Sequence, residues 1–191
     1  RNVVMTGVNV VANPNFEKIR ENGFTQYVYE PYTETCKKYP EHDKVHELWQ
    51  QGIQERLLVP AFHGREHLNA QRWMRALQNG CESTLLAFDY GVTGISQGID
   101  GVKLGSYQAA FDIDTLADLE YQKQVLKTGL DLFEELYGYR SKFFIPTNGP
   151  FNNQLEPVVK KLGIDYLGTG KIQQEPLGNN QYKKHVRYLG K

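Results

Sequence analysis

Short β-rich runs alternate along the chain with stretches whose apolar residues recur every three or four positions. Val3 to Ala12 is an apolar run predicted as a strand. Asn13-Pro14 predicts the cap and first turn of a short helix that buries Phe16 and Ile19 and stops at Gly23. Tyr27 to Glu30 reads as a second strand, and residues 31–40 as polar, irregular chain. A helix over His42 to Glu55 follows, with Val45, Leu48, Trp49 and Ile53 on one stripe. Arg56 to Phe62 (RLLVPAF) is a compact apolar strand. The next helix starts at about Leu68, buries Ala70, Trp73, Met74 and Leu77, and ends at Gly80.

Leu85 to Phe88 reads as a further strand. Residues 90–111 hold five glycines, lose any helical period and read as a long surface excursion. Thr115 and Asp118 predict a capping box for the longest helix, which ends at Gly138 and buries Leu119, Leu126, Leu130, Phe133 and Tyr137. Ser141 to Ile145 is a strand, Asn153 with Glu156 opens a helix closed by Gly163, and Ile164 to Leu167 is again a strand. The chain closes on a β-like stretch, Tyr182 to Leu189. Strand–helix–strand alternation predicts one α/β domain over residues 1–191 with largely parallel strands. A complete (β/α) barrel takes about 250 residues. Four or five βα units therefore predict either an open sheet or an incomplete, distorted (β/α) barrel.

Composition narrows the partners. Lys+Arg and Asp+Glu are both 22, so the chain lacks the basic field that drives nucleic-acid binding. No apolar run approaches the ~20 residues of a membrane span. Twelve Tyr, 9 Phe and 2 Trp in a chain that is 40% hydrophobic exclude a disordered protein. Cys36 and Cys81 make no disulfide framework or metal knuckle, and both read as reduced thiols. The chain starts at Arg1 with no signal-peptide pattern after it.

The strongest chemical signal is His63-Gly64-Arg65-Glu66-His67, directly after RLLVPAF. Sites of parallel α/β folds lie beyond the carboxyl ends of the strands. Two imidazoles delivered there are the ligand type that zinc and similar divalent metals take, usually completed by a carboxylate. His42 and His46 have the same spacing in EHDKVHELW and read as a solvated helix face. The five residues also satisfy H-x-x-E-H, the inverted zinc-protease pattern, with Glu66 as base. Glu66 otherwise reads as an ion-pair partner at the start of the helix or as a residue orienting an imidazole. Asn148, Asn152 and Asn153 are either sugar-binding amides or turn and cap residues.

His63-x-x-x-His67 after a strand, a long helix ending Leu136-Tyr137-Gly138-Tyr139-Arg140, then Lys142-Phe143-Phe144-Ile145-Pro146 and Lys161-Leu162-Gly163-Ile164-Asp165-Tyr166 together resemble the polysaccharide deacetylase family, the NodB-homology group of carbohydrate esterases. The resemblance covers roughly residues 56–80 and 115–168. It implies a distorted (β/α) barrel, a divalent metal such as zinc, and a polysaccharide or oligosaccharide substrate that loses N- or O-acetyl groups. His63 and His67 match the metal histidines, and Pro146 matches the proline of the Arg-x-Pro-Tyr-type motif that lines the groove. Phe144 and Thr147 stand where that motif has arginine and tyrosine.

The family's Asp-Asp motif has no match upstream, where Asp43 is the only aspartate before the histidines; Phe88-Asp89-Tyr90-Gly91 comes after them. The late catalytic histidine has only His185 as a counterpart, in a different context. The resemblance thus implies an internal piece of a longer deacetylase-like protein, inactive by itself. The alternative is a non-catalytic relative that binds carbohydrate.

Overall fold

The computed structural model describes residues 3–96, 98–99, 102–103 and 105–186. Its centre is a parallel sheet of four strands, β1 (Met5–Asn9), β4 (Leu58–Phe62), β7 (Phe143–Phe144) and β8 (Tyr166–Leu167), in that spatial order. The order follows the chain, so each crossover joins two neighbouring parallel strands. Phe62, Phe144 and Leu167 are in register and therefore share one face. That face carries the helices. Phe133 of α6 (Asp118–Tyr137) meets Phe62 edge-on, and Trp49 of α3 (Val45–Gln54) closes over Gly7, where a Cβ would come within 2.8 Å of its ring. The opposite face exposes Val8, Val59 and Tyr166.

The remaining elements surround this sheet. β2 (Ala12–Pro14) pairs with β3 (Tyr29–Pro31) around α1 (Phe16–Glu21), and α2 (Tyr32–Lys37) follows directly. α4 (Ala70–Gln78) and α5 (Glu82–Asp89) hold a second core of Trp73, Leu77 and Phe88 against Phe16 and Phe24. β5 (Gly98–Ile99) and β6 (Val102–Lys103) form a short antiparallel pair. A 3₁₀ turn leads into α7 (Glu156–Lys161), and β9 (Ile172–Gly178) with β10 (Gln181–Val186) makes an antiparallel hairpin.

Several expectations change. The predicted strand Leu85 to Phe88 lies inside α5; Thr84 and Phe88, four apart, are its buried positions, which is helical rather than alternating spacing. The run from Val3 to Ala12 breaks in two because Val11 and Ala12 both donate their N–H to the Arg65 carbonyl, which lifts the chain out of the sheet. Asn15, not Asn13, caps α1. The irregular stretch 31–40 contains α2. Leu48 points to solvent, while Val45, Trp49 and Ile53 pack on the core.

The second half of the expected surface excursion is core, with Tyr107 and Phe111 fully buried. The capping box is half made: the Asp118 carboxylate accepts the N–H of Asp114 and Thr115 at 2.8 and 3.0 Å. Residues 187–189 of the last predicted strand lie outside the described residues. Cys36 and Cys81 are both free, as expected. Among the described residues no helix is long and apolar enough to cross a membrane.

Candidate functional site

β4 delivers the site. Pro60, Ala61 and Phe62 are buried, and the chain leaves the sheet at His63. Gly64 then turns with φ +118°, a conformation that side chains with a Cβ rarely adopt. Arg65 dives into the protein and His67 returns to the surface layer. The two imidazoles are half-buried neighbours, with ring centroids 5.2 Å apart and planes inclined at 64°. Two nitrogens bound to one tetrahedral ion at ~2.0–2.1 Å put their ring centroids about 5 Å apart, so the pair fits a shared divalent ion.

His63 is held from both sides. Its main-chain N–H donates to the Asn9 carbonyl at 2.9 Å, the last rung of the β1–β4 ladder. Its Nδ1 lies 2.8 Å from the Ile145 carbonyl oxygen. A carbonyl only accepts, so Nδ1 carries the proton and Nε2 keeps its lone pair. Burial pulls the His63 pKa below its ordinary value of 6.5; the Ile145 bond opposes this, and His67 adds to the lowering. A neutral imidazole with a free Nε2 is the form that ligates metal.

Glu66 does not face this pair. Both its carboxylate oxygens are taken by Arg65, at 2.5 and 2.8 Å, and the two side chains are almost fully buried. Arg65 also donates to Thr128 and Tyr121 and lies 4.1 Å from the centre of the Tyr29 ring. The ion-pair expectation for Glu66 holds, but the pair lies buried in the turn before α4 and not at the helix start. Residues 63–69 form no helix, so the continuous helix that the H-x-x-E-H reading needs is absent there.

Two loops wall the site. Thr147 accepts the Ala110 N–H at 3.0 Å, and Phe111 packs edge-on against Phe144 and Phe151. Pro146 is buried and its carbonyl accepts the Gly149 N–H at 3.2 Å; Asn148 is exposed, with φ +53°, on this turn. Asn152 is a structural cap, accepting from Gln154 and donating to the Pro176 carbonyl. Asn153 belongs to a cluster on the terminal hairpin in which His185 Nε2 lies 2.7 Å from Glu175. Asp43 is exposed before α3, and Asp89 pairs with Arg20 at 2.6 Å. His42 is exposed, whereas His46 is half-buried with Nδ1 in hydrogen-bond contact with the Tyr32 hydroxyl, 2.8 Å away, so it is not a solvated helix face.

Among the described residues no group of three His, Cys, Asp or Glu side chains is arranged to hold a metal ion. A cleft of about 950 Å³ opens beside β8 between α7 and residues 168–173, and its lining includes neither site histidine. Asn69 escaped the sequence reading although it caps α4 two residues after His67. Its signal was an amide just before an apolar helical period. No family model, curated protein or solved structure matches the chain.

Proposed function

We propose that this chain carries two of the metal-binding groups of a polysaccharide deacetylase-type hydrolase. The observation behind the reading is the convergence of His63 and His67 at the carboxyl end of β4, with His63 Nε2 left free by the Ile145 bond. The four parallel strands in chain order are read as an arc of a (β/α) barrel, whose active sites lie on this side. A divalent ion bound there would polarise an acetyl carbonyl and make water a nucleophile near neutral pH. His63 and His67 supply nitrogen ligands, the Ile145 carbonyl fixes one tautomer, and the exposed Asn148 amide beyond β7 is placed to bind a sugar hydroxyl. Pro146 is the buried support of that turn, its carbonyl held by the Gly149 N–H.

One observation favours the non-catalytic carbohydrate-binding alternative. Asn9 pairs with Phe62 at the end of β1, and Val10 follows it, so the strand next to the histidines brings no carboxylate. Calorimetric titration with Zn²⁺ tests the site: wild type binds, His63→Ala and His67→Ala do not, and His42→Ala binds normally. Equal behaviour of all three variants would refute it. Release of acetate from an acetylated chito-oligosaccharide, abolished by chelator, separates the enzyme from the binder.

A further inference from the structure

The ring of His67 makes no hydrogen bond among the described residues, in contrast to His63. Its place depends on how the main chain is held on either side. Upstream, the Arg65 carbonyl takes the N–H of Val11 and Ala12. Downstream, Leu68 is buried in the second core, and the hydrogen bonds to the neighbouring loop pass through Asn69. The Asn69 side chain is 5% exposed and fully engaged: Oδ1 accepts the Arg72 N–H at 3.1 Å, and Nδ2 donates to the carbonyls of Ala109 and Asp112 at 3.2 and 2.8 Å. Its main-chain N–H donates to Tyr107 at 2.6 Å.

The loop it grips is itself fixed. Arg72 holds Asp112, Asp114 and the Ser106 carbonyl, and Tyr107 bonds Thr84. Resting on the metal-site reading, we propose that Asn69 is a positioning residue for His67. It ties the chain two residues beyond the imidazole to the 105–114 loop and thereby sets the separation of the two rings. Capping α4 alone needs only Oδ1; the two Nδ2 donations serve the wall of the site.

The test separates cap from tie. Asn69→Ser keeps an acceptor for Arg72 and removes both donations. Asn15→Ser makes the same change at the cap of α1, where Asn15 accepts from Lys18 and donates to Glu30, remote in function from the histidines. Zn²⁺ affinity is expected to fall about tenfold or more in Asn69→Ser, the usual effect of losing a support behind a metal ligand. The His67 ring signals of the metal-free protein should move in its NMR spectrum. Asn15→Ser should lower the melting temperature without either effect.

Wild-type affinity in Asn69→Ser, or equal weakening in both variants, overturns the proposal. If the wild type binds no Zn²⁺, the metal reading fails on its own. The positioning role is then decided by the metal-free spectrum, and unchanged His67 signals in Asn69→Ser end it. Should Asn69→Ser not fold, Asn69→Thr serves, since it too keeps a cap acceptor and lacks the two amide donors.

Discussion

His63 Nδ1 lies 2.8 Å from the carbonyl oxygen of Ile145, so the imidazole at the end of one strand takes its tautomer from the end of the next. The bond spans 82 residues of sequence and joins β4 to the chain leaving β7. It aims Nε2 outward, and it forms only when the parallel sheet is assembled.

Metal affinity should therefore depend on pH in a defined direction. An imidazolium cannot ligate, so affinity falls as pH drops. Burial holds the His63 pKa below 6.5, so His63 stays a ligand to lower pH than an exposed histidine. An NMR pH titration of the His63 ring in the metal-free protein should give a midpoint below 6.5, and a midpoint above it would contradict this reading.

Gly64→Ala should damage the site more than the core. Its φ of +118° is strained for alanine, and the new Cβ would stand 3.4 Å from the Phe111 ring and 3.7 Å from the Thr147 methyl. A residue forced into such a region costs about 1–3 kcal/mol. Thermal unfolding should register that loss, and Zn²⁺ binding should weaken because the turn between the two histidines has moved.

The sheet and the histidine pair were legible in the sequence for one reason. RLLVPAF ends in Pro60, Ala61 and Phe62, the buried half of a parallel strand, and although Leu57 and Val59 stay exposed the run reads as unbroken apolar sequence. The helix over Leu119 to Tyr137 was legible because Leu119, Leu126, Leu130, Phe133 and Tyr137 recur on one stripe, and all five are buried. What failed was local in another sense. Leu85 to Phe88 is too short for periodicity to separate strand from helix, and tertiary packing against Trp73 decided it. The hairpin β9–β10 was half seen. Gly178-Asn179-Asn180 was its signal, since Asn179 and Asn180 both take positive φ, as the two central residues of a tight hairpin turn do. The burial of Tyr107 and Phe111 was hidden by the glycines around them. Asn69 and His46 could not be placed because their partners, Ala109, Asp112 and Tyr32, are distant in sequence or lie on a helix that was not expected.

Acid should weaken the fold through Asp118. Burial raises its pKa, but the Arg75 guanidinium and the N–H groups of Thr115 and Asp114 outweigh this and hold it below 3.8. A carboxyl with a depressed folded pKa stabilises fully above its unfolded value, and the contribution is lost as pH falls from 3.8 through the folded pKa. Asp118→Asn should flatten that part of the stability–pH curve. It should cost about 1–2 kcal/mol at neutral pH, the lower figure because Arg75 is partly exposed. Urea midpoints at graded pH measure both effects.

The Arg65–Glu66 pair gives the sharpest contrast between a structural and a catalytic carboxylate. Were Glu66 a general base, Glu66→Gln would leave a stable, inactive protein. Its position argues otherwise: both oxygens bond Arg65 and neither residue reaches solvent. Burial disfavours the charge on Arg65, and Glu66 overcomes this and keeps its pKa above the ordinary value. Removing one partner of a buried pair costs about 3–5 kcal/mol because the other charge is stranded. Here the cost should sit near ~3 kcal/mol, since Thr128, Tyr121 and the Tyr29 ring still receive the guanidinium. Arg65→Met combined with Glu66→Leu strands no charge and should recover most of that loss. Urea unfolding of the two single variants and the double variant closes the cycle. A stable Glu66→Gln, or a double variant as weak as the sum of the singles, would return Glu66 to the list of groups that act on substrate.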